Sequence, residues 1–158
     1  MNTVMTFQIK SHSSEQTESL AAQIGAKLRG GEVIALNSDL GGGKTTFVRG
    51  LARGMGSQDH VSSPTFTIGR QYTSPGKKLA LYHFDFYRLH EAGIMTLELA
   101  EALEDPLAVT VIEWSEIVAG VLPSTRLSIN IISKSEHERD ITIEYQPGQS
   151  YLMPDGEI

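Results

Sequence analysis

The chain has 158 residues and a mass of 17.3 kDa, with 40% hydrophobic and 20% charged residues, which fits one folded domain and excludes a disordered chain. It contains no cysteine, so disulfides, iron–sulfur clusters and thiolate zinc sites are excluded. With 13 Lys and Arg against 19 Asp and Glu the net charge is −6, the wrong sign for independent, salt-driven binding of nucleic acid.

Loose alternation over residues 3–9, through Val4, Phe7 and Ile9, predicts a first strand. Ser13 and Gln16 have capping-box spacing. Leu20, Ala21, Ile24 and Leu28 then recur at helical spacing, and a helix is expected to run until Gly30 and Gly31 stop it. The apolar run over 32–36 predicts a strand buried on both faces. Helical spacing resumes over 44–55 through Phe47, Val48 and Leu51. Residues 66–72 and 78–86 read as two strands joined at Ser74-Pro75-Gly76, a link so short that the pair is antiparallel. A helix over 91–103, a buried strand over 108–112 ending in Glu113, and a short helix or turn over 117–121 follow. Two alternating strands, 127–131 and 141–145, flank a polar turn at 133–140.

The expected fold is α/β: one phosphate-loop NTPase-like domain over residues 1–146, with a mixed, mostly parallel central sheet, an antiparallel hairpin at about 66–86 and helices on both faces. Residues 147–158, carrying Pro147, Gly148, Pro154 and Gly156, are expected to form a loosely ordered tail. The first residues lack a basic-then-apolar leader, and no apolar run approaches the roughly 18 residues of a membrane-spanning helix. A cytoplasmic protein without membrane contact is expected.

The chemistry is concentrated in Ser38-Asp39-Leu40-Gly41-Gly42-Gly43-Lys44-Thr45-Thr46. This string follows a buried strand and opens a helix, the context that a phosphate loop requires. The glycines let the amides of Leu40, Gly41, Gly42 and Gly43 point inward at phosphate oxygens. The helix beginning near Lys44 aims its positive end at the same place. Lys44 reaches the outer phosphates as a point charge, Thr45 offers a hydroxyl to Mg²⁺, and Thr46 adds a hydroxyl or N–H to the inner phosphate. Ser38 stands where the generic pattern has glycine. No Asn-Lys-x-Asp string occurs, so ATP is favoured over GTP, with His12 and Lys134 as candidate flanks of the base.

Such a site needs a carboxylate at the end of a neighbouring strand to hold Mg²⁺ or its waters. Two strands end in acids, Glu113 and Asp85. His83 and Asp85, two residues apart, leave one face of their strand, whereas Tyr82, Phe84 and Phe86 leave the other and belong to the core. His83 reads equally as a site residue and as a half-buried histidine. Thr65, after Ser63-Pro64, occupies the loop where a sensor hydroxyl meets the γ-phosphate or metal; a plain strand-start threonine is the equal alternative.

Four strings, Asp39-Leu-Gly-Gly-Gly-Lys-Thr-Thr46, Ser63-Pro-Thr-Phe66, His83-Phe-Asp-Phe-Tyr-Arg88 and Ile112-Glu-Trp-Ser-Glu116, occur in that order. Together they resemble the TsaE family, the small bacterial ATPases of tRNA threonylcarbamoyladenosine formation, over residues 3–145. Family members usually carry Gly at the position of Ser38 and Ala at that of Gly42. The resemblance implies an ATP/ADP-binding, Mg²⁺-dependent ATPase that is weak alone and docks on the TsaB–TsaD pair. That pair transfers a threonylcarbamoyl group to the adenosine next to the anticodon of tRNAs reading ANN codons, so tRNA is reached only through the partners. A monomer is expected when the chain is alone. The resemblance also places Lys44 on phosphate, Thr45 and Glu113 at Mg²⁺, Asp85 near the metal or the attacking water, and Thr65 as a switch-like residue. Weak hydrolysis agrees with the lack of an evident arginine finger; Arg70 or Arg88 in cis, or a partner, is left to complete the site.

Two other functions fit a phosphate loop. A small-molecule kinase needs a lid carrying cations over the phosphates, for which the 133–140 segment offers Lys134 and Arg139. A nucleotide-dependent binding module needs no turnover at all.

Overall fold

The computed structural model describes residues 3–39, 43–61, 69–86, 95–115 and 120–155. In chain order these form β1 (Met5–Ser11), α1 (Ser14–Ala26), β2 (Val33–Ser38), α2 (Lys44–Met55), β3 (Gly69–Ser74), β4 (Leu79–Asp85), α3 (Met95–Glu104), β5 (Ala108–Glu113), β6 (Leu127–Ser133) and β7 (Arg139–Tyr145), followed by a 3₁₀ helix, Pro147–Leu152. The sheet order is β1-β7-β6-β2-β5-β4-β3. β2 runs parallel to both β5 and β6, and β4 runs parallel to β5. The β1–β7, β6–β7 and β3–β4 ladders are antiparallel. Parallel pairing thus occupies the centre, where crossovers cover the strands, and antiparallel pairing takes both edges; short links join β3 to β4 and β6 to β7, whereas β1 pairs with β7 from the opposite end of the chain. The hairpin expected from the Pro-Gly turn is β3–β4.

Every residue of β5 is buried, as are the first four of β2, which is why both read as continuous apolar runs. One face of the sheet is covered by α1 and α2, whose Leu20, Ile24, Phe47 and Leu51 share a core with Leu36, Val109, Val111 and Ile129. The other face is covered by α3, with Leu99 and Ala102 against Val33, Phe84 and Ile112. Tyr82, Phe84 and Phe86 all belong to this second core, leaving His83 and Asp85 on the α2 side.

The two helices of the first layer touch through glycine. A Cβ on Gly25, Gly50 or Gly54 would overlap the backbone carbonyl oxygen of Leu51, Glu18 or Ala22, respectively, so side chains are excluded at these three positions. The seam was not legible as a pattern, since isolated glycines in a helix read as weak points rather than as contacts. α1 also ends earlier than expected. Lys27 and Leu28 donate to the carbonyls of Ile24 and Gly25 and tighten the last turn, while Gly30 and Gly31, at φ 104° and 87°, turn the chain into β2. At the other end Ser13 Oγ accepts from Gln16 N at 3.1 Å, but the Gln16 side chain accepts from His12 N, one residue before the cap.

The C-terminal segment corrects the expectation of a loose tail. Leu152 is fully buried in the larger core and Met153 nearly so. Tyr151 donates to the buried Glu32 carboxylate at 2.7 Å, which also accepts from the amides of Arg29 and Gly30. The Arg29 guanidinium stacks 3.9 Å from the Tyr151 ring. Burial, reinforced by the bond to Glu32, pushes the Tyr151 phenol up to about 12. Pro and Gly here set a turn for the 3₁₀ helix instead of releasing the chain. Leu152→Ala is expected to cost about 2–5 kcal/mol in chemical denaturation, the range for a buried leucine; a change below about 0.5 kcal/mol would show that the tail adds nothing to the core.

Candidate functional site

β2 delivers the chain to the sheet's C-terminal edge, and α2 returns from it. Ser38 completes β2 by pairing with Ile131, and it is not among the positive-φ residues. The extended backbone at this position therefore makes no demand for glycine, which accounts for the departure from the generic loop. Gly43 is different. It caps α2 at φ 103°, and among the described residues there is no side-chain hydrogen bond at the cap and nothing within 4 Å of where a Cβ would stand. The first helical bond is Phe47 N to Gly43 O at 2.9 Å, so the amides of Lys44, Thr45 and Thr46 precede it at the positive end of the helix. α1, by contrast, fills its N-terminus with Ser13. A helix N-terminus capped by glycine fits a phosphate group.

Opposite this mouth stands Glu113, the last residue of β5. It pairs in register with Leu36 of β2 and with Asp85 of β4, so both predicted acids end adjacent strands beside the strand that feeds the loop. Glu113 is 4% exposed. Its Oε1 lies 3.4 Å from Lys44 Nζ and its Oε2 lies 2.7 Å from His83 Nε2. Lys44 also sits 5.6 Å from the centre of the Trp114 ring. Trp114 itself adopts φ 59°, a left-handed conformation that costs a bulky residue about 1–3 kcal/mol and marks a constrained site. Asp85 is half-buried at the end of β4.

The Glu113 carboxyl is pulled two ways. Burial pushes it up, but the hydrogen bond from His83 and the ammonium of Lys44 together outweigh burial and hold it below the ordinary glutamate value. A lowered folded-state value means that the stabilisation is complete above the unfolded value, about 4.3, and is lost as pH falls through the folded one. Wild-type protein is therefore expected to lose thermal stability below about pH 4.3 more steeply than Glu113→Gln; parallel melting curves over that range would contradict the network.

A second feature adjoins the mouth. Ser13 and Thr17 at the start of α1, Gly43 and Thr46 at the start of α2, and His137 of the β6–β7 turn with Arg139, the first residue of β7, line a cavity of about 200 Å³. The predicted base flanks His12 and Lys134 do not line it. His12 pairs with Glu138 at 3.4 Å and Lys134 with Asp140 at 3.7 Å, and both side chains are exposed. The neighbouring residues His137 and Arg139 occupy the wall instead, and no sequence signal separates them from other polar turn residues. Arg139 also donates to the carbonyls of Ser135, Glu136 and Glu138, which folds the turn on itself rather than shaping a lid.

The structure thus brings Gly43, Lys44, Thr45, Thr46, Asp85 and Glu113 to one edge of the sheet. Leu40, Gly41, Gly42, Thr65 and Arg88 lie outside the described residues. Arg70 lines a separate cavity of about 500 Å³ with Tyr82, Phe84, Glu98 and Glu101. Among the described residues no helix is long and apolar enough to cross a membrane.

Comparison with known proteins agrees with this arrangement. Residues 11–141 match the family model for the threonylcarbamoyl adenosine biosynthesis protein TsaE. The tRNA threonylcarbamoyladenosine biosynthesis protein TsaE of Bacillus subtilis is 39% identical over 128 residues, 81% of this chain and 78% of that protein. Its counterpart in Nostoc is 37% identical over 132 residues, covering 82% and 80%. Among solved structures, Bacillus subtilis YdiB superposes with a TM-score of 0.76 at 31% identity, covering 96% of this chain and 94% of that one. A family match across most of the chain, on a fold whose strand ends carry the expected acids beside a glycine-capped helix N-terminus, settles the family: this chain belongs to TsaE.

Proposed function

We propose that this protein binds ATP with Mg²⁺ and hydrolyses it weakly on its own, in support of the TsaB–TsaD assembly that forms threonylcarbamoyladenosine on tRNA in the cytoplasm. The observation that carries the reading is the meeting of Lys44 and Glu113 at 3.4 Å, across the mouth of a helix whose first amides have no side-chain cap among the described residues. In this reading the triphosphate lies on the amides of residues 40–46, and Lys44 leaves Glu113 for the outer phosphates. Thr45 and Glu113 hold the metal, with Asp85 beside them at the next strand end. Bound Mg²⁺ supplies charge neutralisation on the transferred phosphoryl group and aligns it. The purine lies toward the cavity walled by Thr46, His137 and Arg139. The negative net charge fits a protein that reaches RNA through its partners.

The test is the fate of the γ-phosphate of labelled ATP, with and without TsaB–TsaD. Slow release as inorganic phosphate, accelerated by the pair, is the expected result. Transfer to a small metabolite would make the protein a kinase, and binding without release would make it a nucleotide-dependent adaptor; either would overturn the proposal.

A further inference from the structure

His83 does something that a core histidine does not. It is 1% exposed, on β4 two residues from Asp85 and one ladder away from β5. Its Nε2 is bonded to Glu113 Oε2 at 2.7 Å, yet its Nδ1 is buried and has no hydrogen-bond partner among the described residues. A histidine kept only for packing would satisfy both ring nitrogens or be replaced at lower cost by an apolar side chain of its size, because an unpaired buried polar atom is destabilising. The ring is therefore retained for its one bond. That bond also divides the labour of the carboxylate. Oε2 is taken from inside by His83, and Oε1 alone faces Lys44 and the phosphate-loop side.

We infer that His83 is a positioning residue: it fixes the rotation of the Glu113 carboxylate so that Oε1 stays directed at the metal position when the phosphates draw Lys44 away. Without it, a carboxylate that has just lost its ammonium partner would be held by no side chain that the structure places on it, and it would turn toward whatever donor lay nearest. Residues that orient a ligating group in this way govern metal affinity by about 10–100-fold. The inference rests on the proposed Mg²⁺–ATP reading and deepens it.

The experiment compares wild type, His83→Leu and His83→Gln by calorimetry of ADP binding, first without metal and then across a Mg²⁺ titration. The lone Trp114, close to Lys44, gives a parallel fluorescence signal. His83→Leu is expected to raise the Mg²⁺ concentration for half-maximal tightening about tenfold and to leave metal-free ADP affinity within twofold. His83→Gln, whose amide can replace the donating N–H, is expected to restore the wild-type titration. Should His83→Leu fail to fold, His83→Asn, too short to reach Glu113, takes its place against His83→Gln. The inference is overturned if the donor-less variant titrates like wild type, if glutamine fails to rescue it, or if metal-free affinity falls by the same factor. Wild-type protein with no Mg²⁺-dependent ADP binding would overturn the functional reading and this inference together. Normal wild-type binding with an unaffected His83→Leu would overturn this inference alone.

Discussion

Lys44→Ala is expected to weaken Mg²⁺–ATP binding by about 10- to 100-fold, the factor that follows from losing one charge-assisted bond to phosphate. Isothermal calorimetry on the folded variant measures it. A second effect accompanies the first. Among the described residues Lys44 and His83 hold the buried Glu113 carboxylate, so removal of Lys44 leaves that carboxylate with His83 as its described side-chain partner. The variant should therefore melt at a lower temperature than wild type near neutral pH, and the gap should narrow once Glu113 is protonated. Lys44→Arg is expected to rescue stability better than affinity, since a planar guanidinium keeps the charge but not the compact shape that enters a tight loop. Unaltered ATP affinity in Lys44→Ala would remove the basis for placing triphosphate at the mouth of α2.

Glu113→Gln should separate binding from turnover. It keeps the shape of the side chain and a group able to meet His83, but it removes a buried negative charge from beside the phosphates. Metal-free nucleotide affinity is expected to hold or rise, because Lys44 is no longer drawn to Glu113 and the phosphates no longer face a second anion. Mg²⁺-dependent hydrolysis, measured with TsaB–TsaD present, is expected to fall about 10²–10³-fold, the usual loss when a preorganised electrostatic group is removed. Asp85→Asn, altering the cross-ladder neighbour of Glu113, should also lower turnover more than binding. Normal rates in both variants would falsify the assignment of the strand-end acids to the metal.

The order of strand, glycine run and helix, and the place of both acids at strand ends, were legible because each is encoded locally. A buried strand, a glycine run and a Lys-Thr at a helix start follow one another without a break, and Asp85 and Glu113 each close an apolar or alternating run. The pairing of His83 with Glu113 was not legible. It joins residues 30 positions apart across the β4–β5 ladder, and no local pattern states that register. The same limit hid the cavity wall, where His137 and Arg139 meet the starts of α1 and α2 only after β6 and β7 have paired. The C-terminal segment was misread for a different reason. Pro147 and Gly148 signal a turn, but whether the chain after a turn docks depends on a partner surface, here Glu32, Arg29 and the core around Leu152, that lies more than a hundred residues away.

The glycine seam between α1 and α2 bears on how a nucleotide could be felt elsewhere in the molecule. On the proposed reading the phosphate is received by α2, which approaches α1 backbone to backbone at Gly25, Gly50 and Gly54, a close seating that opposes sliding of one helix on the other. If the protein binds ATP as proposed, a difference between ATP and ADP would then be felt at the other wall of the site. That wall is the ends of β4 and β5, where Asp85, Glu113 and the strained Trp114 sit, and on the proposed reading a partner that distinguishes the two nucleotides would read that rim rather than the helix.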